Sequence, residues 1–391
     1  MKRGGFVRGP LGLVGGILRV VLLALVAAWA APALAVEGPP SDAQLNQRAP
    51  FTEIIGKLRQ VHTPNGIDTL EQVEIGGVKQ WISIRGRDKA NPVLLVLHGG
   101  PGTPTMPLAW AYQNGWEDYF TVVNWDQRGT GKNWQTTEAE KLAPTMSLDR
   151  LVDDAAEVIG TLQKRLGQRR VVVMGFSYGT WMGTALALKH PELISAYVGV
   201  GQVFDDAERD VYNGGLAEAR AQHNEAAIKG LEALAPYPNP DGSVDITKIV
   251  AVRKWVKAVG GGWYGWSDLE LLYQLPVLSP DYDAKDLAGW PIGNSWFGMS
   301  LGKELKEGPQ LAKRGLAFKV PVFFFMGRHD LMTPYVTAQR YFGRLTAPSK
   351  TFVTFENASH FVMLEEPGRF LVELVGKVRP VATAREGMRA R

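Results

Sequence analysis

Cysteine is absent from the 391 residues of the chain. Disulfide bonds, cysteine nucleophiles and cysteine-based zinc sites are therefore excluded, and the stability of the fold must come from its core. Histidines are also few, six in all, and they are scattered, with no H-E-x-x-H or similar metal-binding spacing. We therefore expect neither a metal ion nor an organic cofactor.

Acidic residues are missing from the start of the chain, where the first acid is Glu37. Basic residues precede an unbroken apolar run over residues 20–30, and an A-x-A sequence ends at Ala35. This arrangement is typical of a secretory signal peptide over residues 1–35, so we predict cleavage after Ala35 and a periplasmic or secreted protein without stable membrane association. The alternative is an uncleaved membrane anchor, but the run is shorter than the roughly 20 residues that a membrane span needs.

A basic excess is absent once this segment is removed. The segment holds four of the 43 basic residues and none of the 39 acidic residues, which leaves a formally neutral chain. A neutral chain gives no sign of the basic surface that nucleic-acid binding requires. The composition, 45% hydrophobic and 21% charged, is otherwise that of a globular protein large enough for one α/β domain with an insertion.

The most informative stretch covers residues 170–190. An apolar run over residues 171–174 predicts a buried strand, a G-x-S-x-G sequence follows at residues 175–179, and residues 180–190 predict a helix. A serine on a tight turn between a strand and a helix is the arrangement of a nucleophile elbow, whose flanking glycines tolerate close backbone approach. The alternative is a chance occurrence in a glycine-rich chain, which the flanking strand and helix disfavour.

Strand and helix patterns alternate along most of the chain, which predicts an α/β fold with a mostly parallel sheet and helices on both faces. The exception is residues 201–317, where helical segments predicted over residues 207–234, 246–259 and 301–314 are separated by Pro, Gly and Trp clusters. We interpret this segment as a helical cap inserted into a core of residues 36–200 and 318–380. Residues 381–391 are predicted to form a flexible, basic tail, and the oligomeric state is left open.

Three polar residues, Ser177, Asp330 and His360, each follow a predicted buried strand. The carboxyl ends of parallel strands meet at one edge of a sheet, so the three side chains are expected to converge despite their separation in sequence. His360 would take the proton of Ser177 during attack, and Asp330 would hold the imidazole tautomer. Considered alone, Asp330 has the alternative role of a helix cap, and His360 has that of a structural histidine. Considered together, the order Ser, Asp, His along the chain favours the triad of an α/β-hydrolase.

A glycine-rich sequence, His98-Gly-Gly-Pro-Gly, follows the strand that is expected to lie beside the elbow strand. A backbone N–H in such a loop is well placed to stabilise the oxyanion formed during attack. We predict an oxyanion hole formed by the N–H groups of Gly100 and Tyr178, the residue after the nucleophile. His98 itself is interpreted as a loop anchor, and a plain turn is the alternative for the loop.

These motifs, together with Asp126-Gln-Arg-Gly-Thr-Gly, Gly327-Arg-His-Asp and Ala358-Ser-His, resemble the prolyl aminopeptidase (proline iminopeptidase) family of α/β-hydrolases. The resemblance implies a serine hydrolase with a helical cap, which cleaves an N-terminal residue, often proline, from small peptides. It implies the triad Ser177, Asp330 and His360. It also marks Asp126 and Arg128 as a structural loop, which we interpret as fixed by a buried ion pair between them.

The cap departs from that family, in which a cap carboxylate binds the free amine of the substrate. Candidates here are the carboxylates of Asp205, Asp206, Glu208 and Asp268, each with a solvated helix face as the alternative. For most cap tryptophans, packing in the cap is favoured. Glu208, Trp263 and Trp296 are retained as candidate substrate-binding residues.

Two other functions stay open. One is a carboxylic-ester or amide hydrolase with a small acyl pocket, because a fold does not determine the substrate. The other is a binding protein that has lost catalysis, which the complete set of Ser, Asp and His argues against. Hydrolases that use an aspartate nucleophile on the same architecture are disfavoured, because position 177 holds serine.

Overall fold

The computed structural model describes residue 45 and residues 47–267 and 269–387. The predicted signal peptide with its cleavage position at Ala35, and the candidate residue Asp268, lie outside these residues. Within them, every helix is too short or too polar to span a lipid bilayer.

The centre of the protein is an eight-stranded sheet in the order β1-β2-β4-β3-β5-β6-β7-β8. The strands are β1 Ile67–Ile75, β2 Val78–Gly86, β3 Val93–Leu97, β4 Thr121–Trp125, β5 Val171–Phe176, β6 Ile194–Val200, β7 Val322–Gly327 and β8 Lys350–Phe355. The strands β1 and β2 form an antiparallel hairpin, and β2 also pairs antiparallel with β4. All other neighbours pair in parallel, which confirms the predicted mostly parallel sheet.

The central strands are apolar throughout because both faces of the sheet are covered. Alternate residues of β5 show this directly: Val171 and Val173 belong to one hydrophobic cluster, and Val172 and Met174 belong to the cluster on the other face. Successive side chains of a strand point to opposite faces, so a continuous apolar run is what a strand buried on both sides requires.

Helices occupy both faces of the sheet and the inserted segment. They are α1 Ala49–Leu58, α2 Ala139–Leu142, α3 Leu148–Leu166, α4 Gly179–Lys189, α5 Ala207–Ala221, α6 Glu225–Glu232, α7 Ile246–Ala258, α8 Glu270–Gln274, α9 Ala284–Ser300, α10 Gly302–Glu307, α11 Leu311–Arg314, α12 Tyr335–Arg344, α13 Val362–Glu365, α14 Pro367–Glu373 and α15 Arg379–Gly387. The helix α3 begins after Ser147, whose Oγ accepts a hydrogen bond of 3.1 Å from the Arg150 N–H. It ends before Gly167, whose φ is 73°.

Between β6 and β7 the described chain is helical, and α5, α6 and α7 pack around their own cluster, which contains Val211, Leu231, Val252 and Val256. The division of the chain into core and cap remains a prediction, but two details differ from expectation. The helix predicted over residues 207–234 is two helices, because the chain breaks at His223, with φ 53°. Asn224 then caps α6 by accepting from the Ala227 N–H at 3.1 Å.

The helix α9 was not predicted, because it contains Pro291 and three aromatic residues that indicated a break in the pattern. It begins with a capping box, in which Asp283 and Asp286 each accept from the other's backbone N–H at 2.9 Å. Reciprocal capping of this kind fixes the first turn, so the helix continues through the proline.

The predicted flexible tail from residue 381 is wrong for its first part. The described chain is helical to the end of α15, and Ala382 is buried. Arg379 fixes the start of this helix by donating 3.1 Å hydrogen bonds to the Tyr119 carbonyl oxygen and to Asn91 Oδ1.

The predicted ion pair between Asp126 and Arg128 is also wrong. Both side chains are buried, but the guanidinium of Arg128 turns away and pairs with Asp154 on α3, with Nη2 to Oδ1 at 2.7 Å. Asp126 Oδ2 instead accepts from the Lys132 N–H at 2.8 Å and from the Tyr282 hydroxyl, while its Oδ1 has no partner among the described residues. Burial raises the pKa of Asp126 from 3.8 to about 7.

We expect Asp126 to make the protein less stable as the pH rises from about 4 to 7. A raised pKa means that the folded state holds a proton that the unfolded state has released, which costs about 1.4 kcal/mol for each pH unit in this window. The free energy of unfolding, measured with urea from pH 4.5 to 7.5, should fall more steeply for the wild type than for Asp126→Asn. Equal slopes for the two proteins would contradict the assignment.

Candidate active site

Ser177 lies on a strained turn between β5 and α4. Its φ is 52°, in the left-handed region that non-glycine residues rarely adopt. A Cβ on Gly175 would lie 2.6 Å from the Gly179 carbonyl oxygen, and a Cβ on Gly179 would collide with the Leu97 carbonyl oxygen, so both positions require glycine. Ser177 is partly exposed whereas its two neighbours are buried. This is the geometry of a nucleophile elbow.

Asp330 follows β7 and is buried, with both carboxylate oxygens in use. Its Oδ1 accepts from the N–H groups of Met332 and Thr333, both at 2.9 Å. Its Oδ2 accepts from the Thr333 hydroxyl at 2.8 Å and contacts His360 Nδ1 at 2.9 Å. Asp330 therefore caps the turn that leads to α12 and also holds the imidazole, so the two roles considered for it coexist.

The ring of His360 is buried beside the elbow. Its centroid is 5.0 Å from that of Phe176, the residue before Ser177, and a Cβ on Gly201 after β6 would lie 3.0 Å from its Cε1. A hydrogen bond to a carboxylate requires the proton on Nδ1, so Nε2 keeps the lone pair that a general base uses. The structure thus brings Ser177, Asp330 and His360 to the same edge of the sheet, as the sequence predicts. His329, which precedes Asp330, stacks on Tyr264 instead, with the two ring centroids 4.2 Å apart.

The glycine-rich loop after β3 lies directly on the elbow. A Cβ on Gly99 would lie 2.9 Å from Ser177 Cβ, and Gly100 has φ 111°. Tyr178 is the N-cap residue of α4, where backbone N–H groups lack an acceptor within the helix. The two predicted oxyanion donors, Gly100 and Tyr178, thus belong to segments that border Ser177, and their role remains a prediction.

His98 joins two loops of the site. Its Nε2 accepts from the Gln127 N–H at 3.3 Å, and Gln127 Nε2 donates to its carbonyl oxygen at 3.4 Å. Burial lowers the pKa of His98 from 6.5 to about 4, so the ring is neutral at physiological pH. These contacts are those of the loop anchor that the sequence suggests.

A cavity lies between the loop after β3, Phe361 and the inserted segment. Its walls include Thr103 from the loop after β3, Phe361 beside His360, and Leu272, Tyr273, Trp290 and Asn294 from the inserted segment. Asn294 Nδ2 donates to Thr103 Oγ1 at 2.8 Å. Apart from these polar groups the lining is apolar, and its described residues carry no charge.

The predicted substrate-binding residues have varied surroundings. Glu208 pairs with Arg253, whose Nη1 lies 3.1 Å from Oε2, and accepts from the Tyr237 hydroxyl. Trp263 is buried and stacks on Phe361 at 6.0 Å, so it borders the site through that ring. Trp296 packs on Gly129, its ring centroid is 5.8 Å from that of Trp134, and it is not among the residues that line the cavity.

The other two described candidate carboxylates differ, because Asp205 binds the main chain whereas Asp206 is exposed and makes no side-chain cap bond. Asp205 accepts from the N–H groups of Leu311 and Ala312, both at 2.9 Å, and so caps α11. Asp206 lies at the start of α5 with φ 65°.

In the part of the chain that the structure covers, no three acidic or histidine side chains are grouped to hold a metal ion.

Three contributors to the site were missed from the sequence. Thr333 bonds Asp330, Trp290 lines the cavity, and Glu365 binds the chain around His360. Trp290 had no signal that separated it from the other cap tryptophans. Glu365 follows His360 by five residues and is adjacent to another glutamate, so its position carried no distinctive pattern.

Comparison with known proteins agrees with this geometry. The model of the Alpha/beta hydrolase family matches residues 93–374, which is more than two thirds of the chain. A probable aminopeptidase, YbaC, of Bacillus subtilis strain 168 is 29% identical over 78% of this chain and 94% of its own length. A proline iminopeptidase of Saccharolobus solfataricus is 25% identical over 76% of this chain and 88% of its own.

Solved structures show the same fold. A proline iminopeptidase-related protein of Thermus thermophilus has a TM-score of 0.57 and 20% identity, over 81% of this chain and 99% of that one. The proline iminopeptidase of Mycobacterium smegmatis also has a TM-score of 0.57 and 20% identity, over 81% of this chain and all of that one. The chain therefore belongs to the alpha/beta hydrolase family and, as its motifs predict, resembles the proline iminopeptidases.

Proposed function

We propose that the protein is an exported serine hydrolase that releases an N-terminal residue, often proline, from small peptides through an acyl-enzyme on Ser177. The observation that carries the proposal is the 2.9 Å contact of Asp330 Oδ2 with His360 Nδ1, made beside a serine with φ 52°. The aminopeptidase and proline iminopeptidase names of its relatives support the peptide substrate.

Each step follows from the chemistry of these groups. Ser177 Oγ attacks the substrate carbonyl carbon while His360 Nε2 takes the hydroxyl proton, and Asp330 stabilises the imidazolium. The N–H groups of Gly100 and Tyr178 donate to the oxyanion of the tetrahedral intermediate. His360 then gives its proton to the leaving amine, which leaves the acyl group on Ser177. In the second step water attacks the acyl carbon while His360 takes a proton from the water. The ester bond to Ser177 Oγ then breaks, Oγ takes that proton from His360, and the acyl group leaves as a carboxylic acid.

A second candidate function is hydrolysis of small carboxylic esters or amides without a free amine. The described lining of the cavity is neutral, and the cap carboxylates Asp205 and Glu208 already have partners. A free ammonium group would need an uncompensated carboxylate, because burying an unpaired charge is costly. Asp268 remains a candidate for that carboxylate, outside the described residues.

We expect Ser177→Ala to lower turnover of proline 4-nitroanilide by at least about 10⁴-fold and to abolish labelling by a fluorophosphonate, because the nucleophile is lost. Ser300→Ala is the matched control and should keep wild-type activity, because among the described residues its hydroxyl donates to the Trp296 carbonyl oxygen and to no group of the candidate site. If the Ser177→Ala protein is still labelled and active, the mechanism is refuted.

The substrate range of the wild type separates the two functions. Turnover of N-acetylproline 4-nitroanilide, or of 4-nitrophenyl esters without turnover of proline 4-nitroanilide, would select the second function.

We expect Trp290→Leu to raise kcat/KM for leucine 4-nitroanilide relative to alanine 4-nitroanilide by roughly 10-fold. The smaller side chain enlarges an apolar wall, and one or two methylenes are worth about that factor in a hydrophobic pocket. Trp266→Leu is the control, because Trp266 is 47% exposed and does not line the cavity. An unchanged ratio in Trp290→Leu would show that this cavity does not hold the acyl group.

We expect cleavage after Ala35 during export, so that the mature chain begins at Val36. Expression of the full-length gene in a bacterial host, followed by N-terminal sequencing of periplasmic protein, tests this. Ala35→Leu should block cleavage, because the site requires a small residue. Active wild-type protein that keeps residues 1–35 would contradict the predicted leader.

A further inference from the structure

Glu365 binds the chain on both sides of His360. It ends α13, and its Oε1 accepts from the Phe361 N–H at 2.8 Å. Its Oε2 accepts from the Ser359 N–H at 2.9 Å. A single carboxylate therefore accepts from the N–H groups of the residues immediately before and after His360.

The same carboxylate reaches the inserted segment. Glu365 Oε2 also accepts from the Tyr264 N–H at 2.8 Å. Burial raises the pKa of the Glu365 carboxyl, because desolvation disfavours its charged form. The three bonds from backbone N–H groups act in the opposite direction, because bonds to a charged acceptor are stronger than neutral ones.

The residues just before Tyr264 bind the two loops of the candidate acid and base directly. The Gly261 carbonyl oxygen accepts from the Leu331 N–H at 3.0 Å, next to Asp330. The Gly262 carbonyl oxygen accepts from the N–H of His360 itself at 3.2 Å. The segment 261–264 thus makes three backbone contacts, one to the acid loop, one to His360 and one to Glu365.

Gly261 has no room for a side chain at this junction. A Cβ there would lie 2.7 Å from Leu331 Cβ and 2.9 Å from the Val256 carbonyl oxygen. Gly262 differs, because its nearest neighbour would be Leu269 Cδ2 at 3.4 Å, an ordinary contact. The close approach that the backbone contacts require is therefore concentrated at Gly261.

We propose that Glu365 is a positioning residue for His360 and that it forms, with the segment 261–264, one unit that couples the seating of the inserted segment to the orientation of the imidazole. The inference rests on the proposed function, in which His360 is the general base. Asp330 fixes only Nδ1, so the direction of Nε2 also depends on the backbone that carries the ring. An error of about 1 Å in such a position costs on the order of 10²-fold in rate.

The first test compares Glu365→Gln and Glu365→Ala with the wild type, using kcat, KM and the rate of fluorophosphonate labelling of Ser177. We expect kcat and the labelling rate to fall about 10-fold for the glutamine variant, which keeps one acceptor oxygen, and about 100-fold for the alanine variant. KM should stay within about twofold, because substrate contacts are unchanged. Circular dichroism verifies that each variant is folded, and the near-isosteric glutamine variant keeps the test valid if the alanine variant does not fold.

Glu366→Gln is the matched control. Glu366 Oε1 accepts from the Asn357 N–H at 3.0 Å, so it binds the same loop but not the N–H groups of Ser359 and Phe361. It should keep the wild-type kcat. Wild-type kcat in both Glu365 variants, a change confined to KM, or an equal loss in Glu366→Gln would each overturn the proposal.

The second test compares Gly261→Ala with Gly302→Ala, which adds a Cβ elsewhere in the inserted segment, with no described heavy atom packed within 4 Å of it. We expect the first to lower kcat and the labelling rate about 10-fold and the second to leave both near the wild-type values. The double variant Glu365→Gln/Gly261→Ala should lose less than the product of the single losses, because the two residues act through one unit. Wild-type kcat in folded Gly261→Ala protein, or fully multiplicative losses, would refute the coupling.

Failure of the proposed function gives a different result. In that case the wild type itself would not be labelled at Ser177. Failure of the positioning role alone would leave a labelled, active wild type whose Glu365 variants react at the same rate.

Discussion

The hydrogen bond between Asp330 and His360 is the contact on which the candidate site depends. It joins the loop after β7 to the loop after β8, and the two residues are 30 positions apart in the chain. It also sets the protonation of the ring, since a proton held on Nδ1 leaves Nε2 free to act as a base. The surrounding groups serve one partner or the other: Thr333 saturates the carboxylate, and Gly262 and Glu365 hold the backbone around the imidazole.

The parallel sheet supplies the edge on which these loops meet. The strands β3, β5, β6, β7 and β8 are consecutive neighbours, so their carboxyl ends form one rim. The loops cross that rim at very close range, which small residues alone permit at Gly99, Gly175 and Gly201. The same requirement extends to Gly261 in the inserted segment, whose carbonyl oxygen accepts from the Leu331 N–H in the loop after β7.

The sequence was sufficient for the sheet, the elbow and the convergence of Ser177, Asp330 and His360. Those features are local: an apolar run predicts a buried strand, and a polar residue directly after it lies at the edge. It was insufficient where a partner lies far away in the chain. Arg128 binds Asp154 and not Asp126 because of how α3 packs against the sheet, and no short-range pattern encodes that choice.

The inserted segment was the least predictable part for a related reason. The helix α9 combines a proline with Trp290 and Trp296, and those residues indicate interruption when the pattern is considered alone. Its capping box and its packing against the loop around Gly129 override that local tendency. Glu365 was missed because its role is defined by three backbone N–H groups, which leave no trace in side-chain composition.

The left-handed backbone of Ser177 restricts the kind of alcohol that this turn accepts. At positive φ a β-branched side chain is a steric outlier, because its second substituent on Cβ meets the local main chain. Threonine, although it also bears a hydroxyl, is therefore unsuited to the position. Of the two aliphatic alcohols among the amino acids, this turn therefore accepts the primary alcohol of serine and excludes the secondary alcohol of threonine. The backbone conformation imposes this choice independently of the substrate.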